Sequence, residues 1–164
     1  MKKAVWSGVV AAAVLLVSSA ASAQTQVNGL INVTANVNAK AKLTLGTPAI
    51  TFADADPDVT PSIAVLPFNI DVKARTTAGS TVTLTMLATD LTSGSNTIGI
   101  GALSWTTTGT GFTGGTSNAT TAQTVGSWSG SGSPTGTQTY ALANSWTYAT
   151  GTYAATLTYT LTVP

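Results

Sequence analysis

Apolar side chains alternate with threonine or other polar side chains along four stretches, and this pattern constrains the fold more than any other feature. The stretches cover residues 27–45, 68–75, 81–88 and 153–163. A period of two is typical of β-strands, in which successive side chains point to opposite faces of a sheet. Threonine, which accounts for 33 of the 164 residues, is β-branched and suits a half-exposed strand. The alternation therefore predicts strands with one face in a core and the other in water.

Turn sequences separate these stretches, and nothing after residue 23 has a convincing helical period. Gly, Pro, Asp and Ser cluster at 56–58, 78–80, 93–95 and 149–151. Such clusters are expected in loops between short strands. The Gly-, Ser- and Thr-rich segment 109–136 is interpreted as two short strands with loops, or alternatively as a mobile segment. Several short strands with frequent turns favour two packed sheets, so we predict an all-β, Ig-like antiparallel β-sandwich over residues 37–164.

The first 23 residues match a secretory signal peptide. Lys2 and Lys3 precede an apolar stretch at 4–17, and Ala21-Ser22-Ala23 fits the A-x-A pattern of a cleavage site. The apolar stretch is shorter than the roughly 20 residues that span a bilayer. We therefore predict cleavage after Ala23 and no transmembrane anchor afterwards. The product is expected to pass through the periplasm and to be secreted or held at the cell surface.

The composition excludes several classes of function. The chain contains no histidine or cysteine, which excludes zinc, haem and iron–sulfur sites and any Cys- or His-based catalysis. No histidine is present to act as a base for a serine nucleophile, and no serine stands in a Ser-x-x-Lys spacing. We therefore predict that the protein is not an enzyme. The formal charge of the full sequence is +1. Without residues 1–23 it is −1, because residues 24–164 contain four basic and five acidic residues. No nucleic-acid partner is expected from so little positive charge.

The first alternating run is too long for one ordinary strand. Its 19 residues, 27–45, would extend about 60 Å at ~3.3 Å per residue, whereas strands usually have about 5–6 residues. In one interpretation Gly29, or a bend near residues 36–38, splits the run into two strands of the same domain. In the other, residues 24–36 are an arm that adds a strand to a neighbour's open sheet. The arm residues that would fill the neighbour's groove are Val27, Ile31, Val33 and Ala35.

Three segments near the two ends of the chain carry a family resemblance. They are Ile31-Asn-Val-Thr-Ala-Asn-Val, Lys42-Leu-Thr-Leu-Gly-Thr-Pro and the ending Gly151-Thr-Tyr-Ala-Ala-Thr-Leu-Thr-Tyr-Thr-Leu-Thr-Val. These segments resemble the spore-coat-U-type pilins, the secreted Ig-like subunits of alternate chaperone–usher pili. The chain lacks the cysteines usual near the first strand of that family. The likeness also extends to a broader class of secreted bacterial Ig-like proteins.

The resemblance implies a structural protein of the cell surface, a pilus (fimbrium) or fibre subunit. In that family an N-terminal arm completes the fold of the next subunit, and the last strand follows a Gly-Thr-Tyr turn. The implied partners are further copies of the chain or other surface subunits, together with a periplasmic chaperone and an usher. The low charge agrees with this role, because a subunit buried in a fibre needs less charge for solubility.

Three carboxylates, Asp54, Asp56 and Asp58, stand at alternate positions in a predicted turn. Oxygen-rich loops bind calcium, so these residues are candidate Ca²⁺ ligands. An EF-hand is excluded, because Val59 and Val65 stand where that loop needs Gly and Glu. The favoured interpretation is a solvated turn whose carboxylates accept hydrogen bonds from local backbone N–H groups. Apart from calcium, no cofactor is predicted.

Aromatic side chains give the alternative function, a secreted carbohydrate-binding or adhesin module. Aromatic rings offer apolar faces and polar tips to a sugar, and the candidate ligand-binding residues are Trp105, Trp128 and Trp146. The competing interpretation is that each tryptophan anchors the core, as in Ig domains. The two interpretations differ in the expected exposure of the indole rings.

Overall fold

The computed structural model describes residues 27–164, and residues 36–164 form one compact unit. The predicted signal peptide lies outside the described residues. The described part contains a 3-10 turn at Ile100–Ala102, no α-helix, and eleven strands: β1 (Lys40–Leu45), β2 (Ser62–Ala64), β3 (Phe68–Arg75), β4 (Thr81–Ala88), β5 (Leu91–Ser93), β6 (Asn96–Ile98), β7 (Leu103–Thr108), β8 (Gly115–Thr116), β9 (Gln123–Ser129), β10 (Thr135–Ala143) and β11 (Leu157–Thr162).

The strands form two main antiparallel sheets that share one core. The first sheet has the order β1-β3-β10-β7-β8, with β2 also paired to β10, and the second has the order β11-β4-β9. Strands β5 and β6 form a separate hairpin. Ile70 and Val72 from the first sheet and Leu84 and Met86 from the second are completely buried in the same cluster. The predicted Ig-like antiparallel β-sandwich is confirmed.

In β4 the apolar side chains that alternate with threonine point into the core, as the sequence pattern predicts. Val82, Leu84 and Met86 have almost no exposed surface, whereas Thr81 is exposed and Thr83 partly so. The pairing of β4 with β9 contains a register shift next to Leu84 and Thr85. An irregularity of this kind inserts an extra residue into one strand. Here the shift leaves Val125 of β9 fully buried and its neighbour Thr124 exposed.

The first alternating run does not form a 19-residue strand, nor two strands. Only Lys40–Leu45 is a strand, and residues 27–39 have no regular secondary structure. Residues 27–35 are exposed throughout, and Val27, Ile31 and Val33 each keep 88% of their surface accessible. Alternation determines the face on which a side chain lies once a strand is paired, but it does not supply the pairing partner.

Candidate functional site

The two lateral sides of the sandwich differ in how the chain closes them. On one side, residues 111–113 reach from the end of β7 to β9, where Phe112 forms a bridge with Gly126 and Thr113 N donates to the Val125 carbonyl at 2.8 Å. On the other side, β1 pairs only with β3, and β11 pairs only with β4. Cα atoms of β1 and β11 approach within 8 Å of each other. Both sheets therefore end at unpaired edges on the same side, which we call the open side.

The strands that border the open side run in opposite directions. Lys40, at the start of β1, pairs with Arg75 at the end of β3. The next residue, Thr76, donates its hydroxyl to the carbonyl of Pro164, just after the end of β11. Strand β11 therefore ends where β1 begins. An extended segment that lies along the open side would be parallel to one of these strands and antiparallel to the other.

The core is incompletely covered along the open side. Five apolar side chains on its two strands are only partly buried, although they pack against the core: Leu43, Leu45, Leu157, Tyr159 and Leu161. The residues of β3 and β4 that pair with these five are buried: Ile70, Val72, Leu84, Met86 and Ala88. Apolar surface left in contact with water is a free-energy cost that an additional strand would remove.

The strand order of the two sheets can be compared with that of an Ig domain. A constant-type Ig domain has one sheet in the order A-B-E-D and a second containing C, F and G. Strands β1, β3, β10 and β7 follow the first order, and β4 and β11 take the places of C and F. Strand β9 pairs with the other side of β4, where the constant-type arrangement has no strand. Among the described residues no strand takes the place of G, which would lie beside β11. The open side lies beside β11, where G would stand in that arrangement.

A buried polar network connects the open side with the first sheet. The hydroxyl of Tyr159 in β11 donates to Oε1 of Gln138 at 2.5 Å and lies 2.7 Å from the hydroxyl of Tyr140. Burial raises the pKa of Tyr159 to about 12, although both hydrogen bonds lower it. Burial, followed by the adjacent Tyr159, raises the pKa of Tyr140 far above its ordinary value. Both phenols are therefore held in their neutral form.

The structure does not bring Asp54, Asp56 and Asp58 together as ligands for a metal ion. Residues 27–164 contain no group of three or more acidic side chains placed to hold a metal ion. Oδ1 of Asp56 instead accepts from the backbone N of Asp58 at 2.9 Å, and Oδ1 of Asp58 accepts from the indole N–H of Trp146 at 3.1 Å. The alternate spacing suggests metal ligands. The carboxylate of Asp56 instead accepts a hydrogen bond within the turn, and that of Asp58 accepts one from a neighbouring loop.

The three candidate tryptophans have three different environments. Trp105 is 3% exposed and donates its indole N–H to the Thr113 carbonyl at 2.9 Å. Its ring is buried in the core and offers no exposed face to a ligand. Trp128 is partly buried and packs edge-on against Phe112, with ring centroids 4.9 Å apart. Trp146 is 69% exposed and is the candidate that can offer a ring face to a ligand.

Hydrogen bonds hold Trp146 beside the aspartate turn. Nδ2 of Asn144 donates to the carbonyls of Ala55 and Thr60, at 2.9 and 3.0 Å, so the two loops are joined. Asp58, in the first of these loops, accepts a hydrogen bond from the indole N–H of Trp146, in the second. The result is an exposed aromatic face next to a carboxylate. Both residues stand out in the sequence, but 88 positions separate Asp58 from Trp146, so local spacing does not connect them.

No protein-family model matches the chain, and no curated protein matches it significantly. None of residues 27–164 belongs to a helix that is long and apolar enough to cross a bilayer.

Proposed function

We propose that this chain is an exported structural protein of the cell surface, a pilin-like fibre subunit that assembles by β-strand addition. The observation that carries the proposal is the open side, where β1 and β11 leave unpaired backbone edges above a partly exposed core. An extended segment of a second copy would pair with one of these edges and cover the apolar side chains beside it. This is the β-augmentation mode of recognition.

Residues 24–36 supply the donor strand. Val27, Ile31, Val33 and Ala35 share one face of an extended chain and are exposed. Residues 27–35 would span about 30 Å at ~3.3 Å per residue, which exceeds the six-residue length of β11. The pilin resemblance of these residues and the predicted signal peptide support the same role. Through that resemblance, a periplasmic chaperone and an usher are further proposed partners.

An energy comparison indicates how such an arm would bind. Burying one valine or isoleucine side chain is worth about 1.5–3 kcal/mol, so Val27, Ile31 and Val33 together contribute roughly 5–9 kcal/mol. Association costs an estimated 4–15 kcal/mol of translational and rotational freedom. Side-chain burial alone therefore does not ensure tight binding. Backbone pairing with an open edge, β1 or β11, must contribute, and this requires an extended arm that lies in register.

Substitution of Ile31 tests the arm directly. We expect Ile31→Asn to abolish filaments seen by negative-stain electron microscopy, because it places an amide in the apolar groove. The matched control is Thr34→Asn, which lies on the opposite face of the arm and should leave filaments unchanged. Ile31 is 88% exposed and lies outside every strand, so the melting temperature of the unassembled protein should not change. Filaments formed equally well by the Ile31→Asn protein would contradict the proposal.

The contacts of Trp146 favour a second candidate function, glycan binding by an adhesin. A pyranose ring could stack on the exposed indole while its hydroxyls donate to Asp58. We expect Trp146→Ala to remove binding on a glycan array without loss of stability. Leu66→Ala, at another highly exposed apolar position (88%), is the control. Unchanged glycan binding by the Trp146→Ala protein would exclude this site.

A further inference from the structure

All the basic side chains of residues 24–164 lie on the outer face of the first sheet. We call this set the basic patch: Lys40, Lys42, Lys73 and Arg75. Each of the four is exposed, whereas the residues that alternate with them, such as Val72, pack in the core. Asp71 is the one acidic residue of these two strands, so this face carries a net charge of +3. Positive charge is therefore concentrated in one place.

The strand register places these positive charges directly opposite one another. Lys40 pairs with Arg75, and Lys42 pairs with Lys73. Like charges in directly opposite positions destabilise a sheet. The single acidic residue of these strands, Asp71, does not pair with a cation. The pairing of β1 with β3 thus carries an electrostatic cost that an anionic group from outside the patch would reduce.

Negative charge is concentrated at the opposite end of the same sheet. We call the exposed carboxylates there the acidic turn: Asp54, Asp56 and Asp58. Hydrogen bonds from Asn144, just after β10, hold the two sides of this turn. Between patch and turn lie the first six residues of β3 and the last six of β10, which overlap at the pair Phe68 and Gln138. This path spans roughly 33 Å at ~3.3 Å per residue, so the patch and the turn of one copy are too far apart to meet.

The proposed donor arm joins the sandwich beside the basic patch. Nε of Arg75 donates to the carbonyl of Asn38 at 2.8 Å, two residues after the arm, 24–36, ends. A second copy that takes up the arm is therefore held close to the patch. Its own basic patch would be repelled there, whereas its acidic turn brings three negative charges to a face with a net charge of +3. We propose that the basic patch of one copy binds the acidic turn of the next, so that copies associate head to tail; this rests on the proposed uptake of the arm by a second copy.

The charged contact determines the order and the speed of assembly. A contact between two different surfaces does not close on itself as a two-fold contact does, so it extends into a chain of copies. Complementary charges raise the association rate and disfavour wrong orientations more than they add affinity. Salt weakens this effect, because the screening length falls from about 30 Å at ~0.01 M to about 3 Å at ~1 M. Assembly should therefore slow as salt is added.

Zero-length carbodiimide cross-linking tests the contact, because the reagent joins a carboxylate to a lysine amine only where the two touch. The sample is the wild-type protein, expressed from its full sequence. We expect mass spectrometry to find amide bonds between Lys42 or Lys73 and the aspartates of the acidic turn. Such a bond must join two copies, because the two groups are too far apart within one. Its yield should fall roughly fivefold between about 0.01 M and about 1 M NaCl.

Filament growth followed by light scattering measures the effect on rate. We expect a double variant, Lys42→Gln with Lys73→Gln, to grow roughly fivefold more slowly than wild type at about 0.01 M NaCl and at a similar rate at about 1 M. The matched control is Thr106→Glu with Thr124→Glu, at exposed positions outside the patch and the turn. It reaches the same net charge as the double variant and should grow like wild type. Circular dichroism melts establish that both double variants fold.

Three results would overturn the inference. Wild-type filaments whose cross-links never join the patch to the turn would do so, while leaving the proposed fibre role intact. So would equal growth rates of the lysine double variant and its control at low salt. The third is binding of the patch to vesicles of anionic phospholipid without patch-to-turn cross-links, since the patch would then recognise a membrane. The Ile31→Asn protein separates the two proposals: unchanged filaments with patch-to-turn cross-links would contradict uptake of the arm and support the charged contact.

Discussion

At the scale of single residues, Tyr159 connects the exposed and buried parts of the sandwich. Its ring lies on the open side, while its hydroxyl reaches Gln138 and Tyr140 inside the core. Gln138 has no exposed surface, and its Nε2 has no hydrogen-bond partner within residues 27–164. A buried polar network is costly when one member is removed, because the remaining groups lose their partners. The edge strand β11 is thus tied to the first sheet by a polar contact as well as by apolar packing.

The raised tyrosine pKa values predict a loss of stability in alkali. The ordinary tyrosine pKa is 10. Below that pH both phenols are protonated in the folded and the unfolded chain, so the free energy of unfolding is not reduced by their ionisation. Above pH 10 the unfolded chain releases protons that the folded chain retains, and the free energy of unfolding falls as the pH rises towards about 12, the pKa of folded Tyr159.

Urea denaturation between pH 7 and pH 12 measures this effect. We expect Tyr159→Phe to cost about 1–3 kcal/mol at pH 7 by removing hydrogen bonds from Gln138 and Tyr140. The alkaline loss should be shallower in this variant, because one titrating phenol is gone. Tyr153→Phe, which removes a hydroxyl that donates to the exposed Ala149 carbonyl, is the control. Equal alkaline slopes for wild type and Tyr159→Phe would contradict the explanation.

The roles of individual side chains are harder to predict from the sequence than the strands that carry them. The sequence marked Trp105 and Trp146 as equivalent candidates, but one is buried and the other exposed. Exposure depends on which strands cover a residue, and single-sequence periodicity does not contain that information. Asp58 was considered as a metal ligand because of its neighbours in the chain. Its actual partner, Trp146, is distant in sequence, so local spacing gave no signal for it.

At the scale of secondary-structure elements, period-two alternation predicted the strands where each has a neighbour. The stretches 68–75 and 81–88 coincide with β3 and β4. The stretch 27–45 has the same alternation, but only its last six residues form a strand. The difference is the partner: β1 pairs with β3 over six residues, whereas residues 27–39 belong to no ladder. Which strand edges stay open was not predictable, because it depends on how distant segments associate.

At the scale of the whole molecule, the sandwich is asymmetric in two respects. One lateral side is closed by residues 111–113, and the other is open between β1 and β11. The outer face of one sheet carries the charged strand residues, and the other carries hydroxyls. Edges that stay open usually favour unwanted pairing, and proteins commonly protect them. The proposed strand addition would protect the open edges of β1 and β11 and cover the partly exposed core beneath them.

Peptide complementation tests strand addition most directly. The sample is the compact unit, residues 36–164, mixed with a synthetic peptide of residues 24–36. We predict that the peptide raises the melting temperature with increasing concentration, by roughly 8–12 °C when the ligand reaches about 100 times its Kd, which corresponds to about 2.7 kcal/mol. A peptide with Thr34→Asn should act like the natural one, and a peptide with Ile31→Asn should have little effect. A melting temperature that no concentration of the natural peptide changes would contradict the account.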